Sequence, residues 1–407
     1  MMGNGGIRES LQKAIAEFEI IDCHEHLPPE SVRLEMHADV FTLFSHYTRL
    51  DLWNAGMSQE AWNDLFDPSI PLDRRWESFE PYWNEIRLTS FAKSALLTAK
   101  HFYGFDDINE QTYGPLSQTI AQANKPGIYR RVLRDACNIR TALTQCGTTE
   151  TGTELLTPVV VIGGFFSRQD VEERFGGEAA TGSLDELVDT ARKYVAKIEG
   201  QGAVGIKIMS WPYGQPDREA AVTALAEIHR GGTLTGPTNP LFDYLVDQMI
   251  ASAGELDMVT CVHAGYWGDF RDLDPLHMIP LITRHPEARF DIYHVGYPWV
   301  RETLMLGKGF PNVWLNFCWT HIISQRFAVA ALDEAIDLLP ANKLLAFGGD
   351  YQKPVEKVIG HLMMAREDVA EVLARRISSG QMTENGALDL ARKWFWDNPV
   401  QLYTLKV

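Results

Sequence analysis

The sequence of 407 residues lacks any apolar run near the roughly 18 residues that a membrane-spanning helix needs. Its N-terminal segment, MMGNGGIRES, also lacks the apolar core of a secretory signal. Positive charge is in deficit, since 37 Lys and Arg stand against 54 Asp and Glu, a formal net charge of −17. That deficit argues against nucleic acid or an anionic membrane surface as the main partner. An anionic small molecule stays open as a substrate, because a metal ion or a local arginine can reverse the field inside a pocket.

Cysteine is scarce and scattered. The five cysteines are Cys23, Cys137, Cys146, Cys261 and Cys318, an odd number without CxxC spacing. This pattern predicts reduced thiols in a cytoplasmic protein rather than a disulfide framework or a structural zinc site.

Short apolar or β-branched runs recur along the chain, each ending in a polar or glycine residue. The eight runs are Phe18–Cys23, Asn138–Thr144, Thr157–Gly163, Ala203–Met209, Asp257–His263, Arg289–His294, Asn312–Phe317 and Lys343–Gly348. From residue 183 onward, helical patterns separate them, which indicates a parallel sheet covered on both faces. Eight such units predict an α/β fold, a (β/α)8 TIM barrel. A doubly wound open sheet is the alternative, but HEHLPP stands where that fold would carry a glycine-rich phosphate loop.

The strand–helix rhythm breaks between the first and second runs. Residues 30–135 form a mostly helical stretch rich in Trp, Tyr, Phe, Arg and His. We therefore predict a single barrel over residues 1–407 with an insertion at 30–135. Because the insertion leaves the C-terminal end of the first strand, it is expected to lie over the barrel mouth as a lid with substrate contacts. A subdomain that only stabilises the barrel is the alternative.

His24 and His26 follow the first apolar run directly. Alternate residues of a strand point the same way, so both imidazoles are expected to face the barrel interior at its mouth. Two neutral imidazoles are a usual beginning of a zinc site. The same alternation predicts that Cys23, next to His24, points away from the barrel interior and is a buried apolar side chain.

Four further strands carry polar residues at or near their ends. They are Lys207 in the fourth strand, His263 after the fifth, His294 after the sixth and Asp350 after the eighth. A lone histidine at a strand end is more often a structural hydrogen-bonding residue. Residues from five strands of one barrel, however, converge on a single mouth, which predicts a metal site there.

These residues and their surrounding motifs resemble the amidohydrolase superfamily of metal-dependent hydrolases over residues 15–27 and 138–400. The phrases DCHEHLPPE, VHAGYWGD, YHVGYP and FGGDYQKP are most similar to its amidohydrolase-related branch, which also holds decarboxylases and lactonases. The insertion motifs SHYTRLDLWNAGM and RWESFEPYWNEIR bear a weaker resemblance to uronate isomerases. The sequence departs from those isomerases after Asp350, where YQKP replaces an arginine-containing segment that binds the sugar acid.

The resemblance implies a role for each of the strand-end residues. The implied metal ligands are His24, His26, His263 and Asp350. Asp350 would also transfer a proton, and His294 would act either as a general acid/base or as a ligand of a second metal. Lys207 would be an unmodified cation near the substrate, or a carbamate bridging two metals. We expect one divalent ion, with zinc as the expected metal and manganese as the alternative that these ligand types also allow; two ions, with carboxylated Lys207 and His294 as ligands, are the alternative arrangement.

Residues in the predicted loops and in the insertion are candidates for substrate contact. They are Arg49, Tyr266, Trp267, Tyr297 and His321. Arg49 could clamp a carboxylate with its planar guanidinium, or form an ordinary surface ion pair. The aromatic residues could bind the substrate or only line and dry the pocket.

The sequence therefore predicts a metal-dependent hydrolase that cleaves an ester, lactone or amide bond of a small carboxylate-bearing molecule. Decarboxylation and uronate isomerisation are the enzymatic alternatives, and an inactive, metal-stabilised binding module is the alternative of another class. The expected partner is a small-molecule substrate, without nucleic acid or membrane; assembly into a homo-oligomer is left open.

Overall fold

The computed structural model describes residues 4–178 and 181–407. The first three residues of the N-terminal segment considered above lie outside that part. Within it, no helix is long and apolar enough to cross a membrane. All five cysteines lie in the described part and are free.

Eight parallel strands, hydrogen-bonded in chain order from β1 to β8, form the centre of the described chain. They are β1 (Ile20–Glu25), β2 (Ile139–Thr144), β3 (Leu156–Val161), β4 (Gly205–Met209), β5 (Val259–His263), β6 (Arg289–Ile292), β7 (Val313–Asn316) and β8 (Leu344–Leu345). The amide of Cys23 donates to the carbonyl of Phe347 at 3.0 Å, which joins the last strand segment to the first. The predicted TIM barrel is confirmed, and each of the eight predicted runs overlaps a strand.

Helices follow the strands and surround the barrel. They are α1 (Asn4–Ala16), α2 (Glu30–Leu34), α3 (Thr48–Asn54), α4 (Gln59–Leu65), α5 (Leu72–Ile86), α6 (Ser90–Tyr103), α7 (Tyr113–Ala123), α8 (Arg168–Phe175), α9 (Leu184–Gly200), α10 (Arg218–His229), α11 (Pro240–Glu255), α12 (Ile279–Arg284), α13 (Val300–Gly309), α14 (Thr320–Ile323), α15 (Gln325–Leu338), α16 (Lys357–Ser378), α17 (Glu384–Arg392) and α18 (Asn398–Leu402). Short 3-10 turns precede α3 and α12, and wider π-type turns stand before β2 and before α18. Several helices begin as their sequences predict; Ser183, for example, caps α9 by accepting from the amide of Glu186.

Side chains of the strands divide between the barrel interior and the layer beneath the helices. In β4, Ile206 and Ile208 pack in the large core shared with the helices, whereas the Lys207 ammonium lies 4.4 Å from the ring centre of Tyr293. Cys23 belongs to a separate buried cluster with Ile21 and other strand residues, inside the barrel. The expectation that Cys23 points outward is therefore wrong. The pairing of β1 with β2 is irregular between Asp22 and Glu25, and such a bulge breaks the strict alternation.

The stretch between β1 and β2 is helical and has a hydrophobic core of its own. That core contains the rings of Phe41, Phe44, Phe79 and Trp83, with the centres of Phe44 and Phe79 4.6 Å apart. Helix α6 packs along α16, so the insertion rests on the helix that follows β8. This placement brings the insertion to the end of the barrel where β1 and β8 terminate.

Candidate metal centre and substrate cavity

His24, His26 and Asp350 meet at the mouth end of β1 and β8. The Asp350 amide donates to the carbonyl of His24 at 2.8 Å, and the His26 amide donates to the carbonyl of Tyr351 at 3.0 Å. Backbone pairing beyond the regular strands thus sets the two histidines beside the carboxylate. Asp350 has a φ of 62°, a left-handed conformation that turns its side chain away from the strand direction.

One carboxylate oxygen faces both imidazoles. Oδ1 of Asp350 lies 3.0 Å from Nε2 of His24 and 3.4 Å from Nε2 of His26. The ligand-type atoms of these three residues all lie within 4.8 Å of one another. Two imidazole nitrogens and a carboxylate oxygen are a donor set suited to a divalent transition metal.

Several polar atoms at this point lack a bonding partner within the described residues. Nε2 of His263 is buried without a hydrogen bond there, and Nε2 of His24 and Oδ1 of Asp350 face each other at 3.0 Å without hydrogen-bonding geometry. Buried polar atoms nearly always have a partner, so three such atoms together fit a cation-binding site. Burial also lowers the pKa of His24 well below its ordinary value, which keeps its imidazole in the neutral form that binds metals.

His263 and His294 stand at the ends of β5 and β6 and contact each other. Nε2 of His294 lies 3.1 Å from Nδ1 of His263 and 3.8 Å from Oδ2 of Asp350. Nδ1 of His294 lies 3.1 Å from the carbonyl oxygen of Cys318. His294 is therefore placed beside the carboxylate, while ligation by His263 stays a prediction supported by its unpaired nitrogen.

Gln145 links the metal centre to the interior lysine. Its amide nitrogen lies 2.8 Å from Nδ1 of His24 and 3.2 Å from the Tyr293 hydroxyl, and its oxygen accepts from Lys207 at 3.0 Å. Burial lowers the pKa of Lys207 to about 8. Sequence reasoning missed Gln145, although a polar residue directly after β2 is the same signal that identified the other strand ends.

A cavity of about 600 Å³ opens above this centre, between the insertion and the loop after β5. Arg49, Tyr266 and Trp267, which the sequence nominated for substrate contact, line it together with residues not nominated, such as Trp53 and Trp62. The cavity connects to the centre through Tyr47, whose hydroxyl hydrogen-bonds to Asp350.

The other two nominated residues lie elsewhere. His321 is fully buried: its Nδ1 lies 2.8 Å from Oδ2 of Asp368 and its Nε2 lies 3.0 Å from the carbonyl of Ala346. Both nitrogens are thus occupied within the protein, and the nomination of His321 for substrate contact is corrected to a structural role. Tyr297 does not line this cavity: it is half-buried, and its ring packs against Phe327 with centres 4.6 Å apart, at the edge of the core around the barrel.

Residues 167–405 match the family model of the amidohydrolases. Among curated proteins, Protein fluG of Emericella nidulans is 24% identical over 206 residues, which cover 48% of this chain and 24% of that protein. The chain thus spans about a quarter of the length of the curated relative it matches.

Solved structures share the fold over nearly the whole chain. A uronate isomerase of Thermotoga maritima has a TM-score of 0.79 at 16% identity, covering 99% of both chains. A glucuronate isomerase of Caulobacter crescentus has a TM-score of 0.80 at 16% identity, covering 99% of this chain and 95% of that one. A proposed metal-dependent hydrolase of Lactobacillus casei has a TM-score of 0.67 at 16% identity, covering 97% of both chains.

Proposed function

The chain belongs to the amidohydrolase family, and we propose that it is a metal-dependent hydrolase acting on an ester, lactone or amide bond of a small carboxylate-bearing molecule. The observation that carries the proposal is the meeting of His24, His26 and Asp350, with unpaired buried atoms among the described residues, beneath a cavity that contains Arg49. Its five free cysteines fit a reducing compartment, and we propose the cytoplasm.

His24, His26, His263 and Asp350 would bind one divalent ion, with zinc as the proposed metal. Such an ion supplies Lewis acidity and lowers the pKa of water in its coordination sphere toward neutrality. Asp350 would accept the proton released during attack on the substrate carbonyl and return it to the leaving group. Its position fits that role, because Oδ2 faces His294 at 3.8 Å and the other oxygen faces the metal ligands.

His294 would complete the proton transfer as a general acid or base, since its Nε2 lies near Asp350 and its ring stands 5.2 Å from that of Trp319 beneath the cavity. Lys207 would stay an unmodified cation beneath His24, held by Gln145. A carbamate on Lys207, bridging to a second ion bound by His294, is the alternative arrangement. At pH values near 8 this amine would be half neutral, the form that carboxylation requires.

Aldose–ketose isomerisation of a uronate is the second candidate. It is favoured by the similarity to the two isomerase structures, which extends over the insertion as well as the barrel. The replacement of the arginine-containing segment after Asp350 by YQKP is the reason to rank it second.

The test begins with elemental analysis of the purified protein, followed by assays of lactones, esters and amides with and without a chelator. Hydrolysis that the chelator abolishes and added zinc restores supports the proposal. Release of carbon dioxide from carboxylic acids would identify a decarboxylase instead, and uronate interconversion would identify an isomerase. Absence of all three activities in metal-loaded protein would favour an inactive binding module.

A double variant tests the ligand assignment. His24→Ala with His26→Ala should lose both metal and activity while the barrel stays folded, because the two side chains lie at the strand mouth. The matched control replaces the exposed His101 and His229 by Ala and should keep both. Full metal content in the His24/His26 variant would show that the assignment is wrong.

A further inference from the structure

We propose that the cavity above the metal centre takes a carboxylic acid built on a flat, apolar ring rather than a polyhydroxylated sugar acid, with the ring against the aromatic walls and the carboxylate at Arg49. The inference deepens the proposed function, on which it rests for the reacting end of the substrate. It differs from what the names of the similar isomerase structures suggest, and the reasons lie in the walls of this cavity.

Two rings that line the cavity, those of Tyr47 and Tyr266, are stacked on the buried Trp319 behind them. The ring of Trp319 is stacked on that of Tyr47, with centres 4.5 Å apart and planes 27° apart. The ring of Trp319 is also stacked on that of Tyr266, with centres 6.1 Å apart and planes 26° apart. Trp319 itself is only 1% exposed and stands against His294, so the stack is backed by the metal centre. Stacking on Trp319 holds the rings of Tyr47 and Tyr266 in place, so the aromatic lining is preorganised for contact with a flat apolar ring.

Large apolar rings at the rim stay accessible. Trp267 is 48% exposed and Trp53 is 39% exposed, although most tryptophans of the described chain are largely buried. The ring of Trp267 meets that of Tyr47 edge-on, with centres 6.4 Å apart. The exposed ring of Trp267 and the buried ring of Tyr47 therefore line the same cavity. Exposed aromatic surface beside a cavity is typical of a binding site, because a ligand buries it.

Arg49 supplies the positive charge in the lining of the cavity. Its guanidinium carbon lies 3.7 Å from the ring centre of Trp53 and 5.8 Å from that of Trp62. Its side chain hydrogen-bonds to the neutral Gln59, and its Nε is buried without a hydrogen-bond partner in the part of the chain that the structure describes. A guanidinium packed between rings, and not neutralised by a protein carboxylate, is a receptor for a planar anion.

The polar groups of the lining are mostly hydrogen-bond donors, whereas the hydroxyls of a sugar acid also need acceptors. The described lining contains no carboxylate; besides Arg49, its polar side-chain atoms are those of His46, Tyr47, Tyr266 and Gln352 and the indole N–H donors of Trp53, Trp62 and Trp267. The Tyr47 hydroxyl is already engaged by Asp350. A hexuronate brings several hydroxyls, and each one buried without a partner weakens binding. A ring-bearing acid needs only the one charged partner that the cavity offers.

Equilibrium binding measured by isothermal titration calorimetry on the metal-loaded protein tests the inference. The probes are 2-naphthoate and benzoate against glucuronate and gluconate. We expect 2-naphthoate to bind at least tenfold more tightly than glucuronate, about 1.4 kcal/mol, because only its ring makes the apolar contact. Arg49→Met should weaken the binding of 2-naphthoate about tenfold, and Trp267→Leu should weaken it several-fold. The matched control is Arg326→Met, an exposed arginine on α15, which should leave binding unchanged.

The possible outcomes distinguish failure of the inferred substrate class from failure of the proposed hydrolysis. Tighter binding of glucuronate than of 2-naphthoate, or no binding of ring acids at millimolar concentration, would overturn the inference even if lactones are hydrolysed. If the Arg49→Met variant and the parent protein bind 2-naphthoate with equal affinity, the assignment of the carboxylate to Arg49 is wrong. Binding of ring acids by a protein that hydrolyses no ester, lactone or amide would sustain the inference and contradict the proposed hydrolysis.

Discussion

Left-handed backbone conformations at residues other than glycine gather around the candidate centre. Of the eight such residues in the described chain, five lie there: His46, His294, Val295, Trp319 and Asp350. Each conformation costs of the order of 1 kcal/mol or more and persists only where the surrounding structure enforces it. At the residue scale, this strain sets the directions of the side chains that face the metal centre and the cavity.

Asp350→Asn separates proton transfer from folding and metal binding. Asparagine tolerates the left-handed conformation that Asp350 adopts, with a φ of 62°, so the variant should fold. His24, His26 and His263 should retain much of the metal, whereas kcat should fall by two or more orders of magnitude, the scale for loss of a general acid/base. Elemental analysis and steady-state kinetics measure both quantities, with the exposed Asp272→Asn as control. Near-normal turnover would refute the proton-transfer role.

Lys357 gives a pH-dependent prediction away from the metal ligands. Its ammonium is fully buried and donates to Oγ1 of Thr48 at 3.1 Å, with Asp51, His46 and His361 as the charged or titratable neighbours. Burial lowers its pKa from the ordinary 10.5 to about 7, against the attraction of Asp51. The unfolded chain therefore binds more protons between pH 7 and pH 10.5, and stability rises with pH across that window.

Lys357→Met should accordingly raise the free energy of unfolding at pH 7 by up to about 4 kcal/mol, and by progressively less as the pH approaches 10. Urea unfolding at both pH values measures the difference, and Lys308→Met on the exposed side of α13 should change little at either. A gain that does not shrink with pH would show that the effect is one of packing rather than of a buried charge.

At the scale of elements, contact between α6 and α16 joins the insertion to the helix after β8. A Cβ atom at Gly360 of α16 would lie 2.1 Å from the carbonyl oxygen of Ser94 in α6. The two helix backbones therefore approach at a distance that only glycine allows. Glu356 and Lys357 lie one turn before Gly360. The close approach of the two helices therefore also fixes the position of the loop after Asp350 relative to the insertion.

Gly360→Ala should lower the free energy of unfolding by about 2 to 3 kcal/mol, because the backbones must separate. Gly114→Ala in α7, where a Cβ atom would meet nothing within 4 Å, should be neutral or slightly stabilising. Chemical unfolding of both variants gives the comparison. Equal effects at the two positions would contradict the close helix approach.

At the scale of the molecule, a buried ion pair ties the insertion to the barrel. Nη2 of Arg33 in α2 lies 2.6 Å from Oε1 of Glu356, and both side chains are fully buried. The Tyr103 hydroxyl donates to the same oxygen at 3.1 Å, and Nη1 of Arg33 donates to Asn124 at 2.8 Å. Residues of α2, of α6 and of the start of α16 thus meet in one network.

Arg33→Met alone should destabilise the protein by about 3 to 5 kcal/mol, since it leaves Glu356 as an uncompensated buried charge. Adding Glu356→Leu should recover much of that loss, because an apolar pair needs no charge compensation. Limited proteolysis of residues 30–135 and chemical unfolding report the two effects. A double variant as unstable as Arg33→Met would show that the network does more than neutralise one charge.

Metal removal should be visible in the stability of the whole molecule. A ligand present at about 100 times its dissociation constant stabilises the folded state by about 2.7 kcal/mol, so chelation should lower Tm by a few degrees. Differential scanning calorimetry with and without zinc measures the shift, and the His24→Ala/His26→Ala variant should show none. An equal shift in that variant would place the metal elsewhere.

Local patterns in the sequence determined the barrel and the residue types of its mouth. Short continuous apolar runs that end in a polar or glycine residue specify strands buried on both faces, and the polar residue at the end of such a run lies at the mouth. His24, His26 and Asp350 were found in this way and do meet at one point. Alternation failed at Cys23, since a bulge in β1 depends on pairing with β2, which is distant in the chain.

Only the tertiary structure decided which residues share a space. His321 and Tyr266 both follow strands closely, yet His321 is bonded to Asp368 and Tyr266 lines the cavity. Arg49 and Trp267 are more than two hundred residues apart and meet only because the insertion folds back over the mouth. Side-chain periodicity is a property of neighbouring residues, whereas a cavity is formed by long-range packing, and no local pattern encodes its walls.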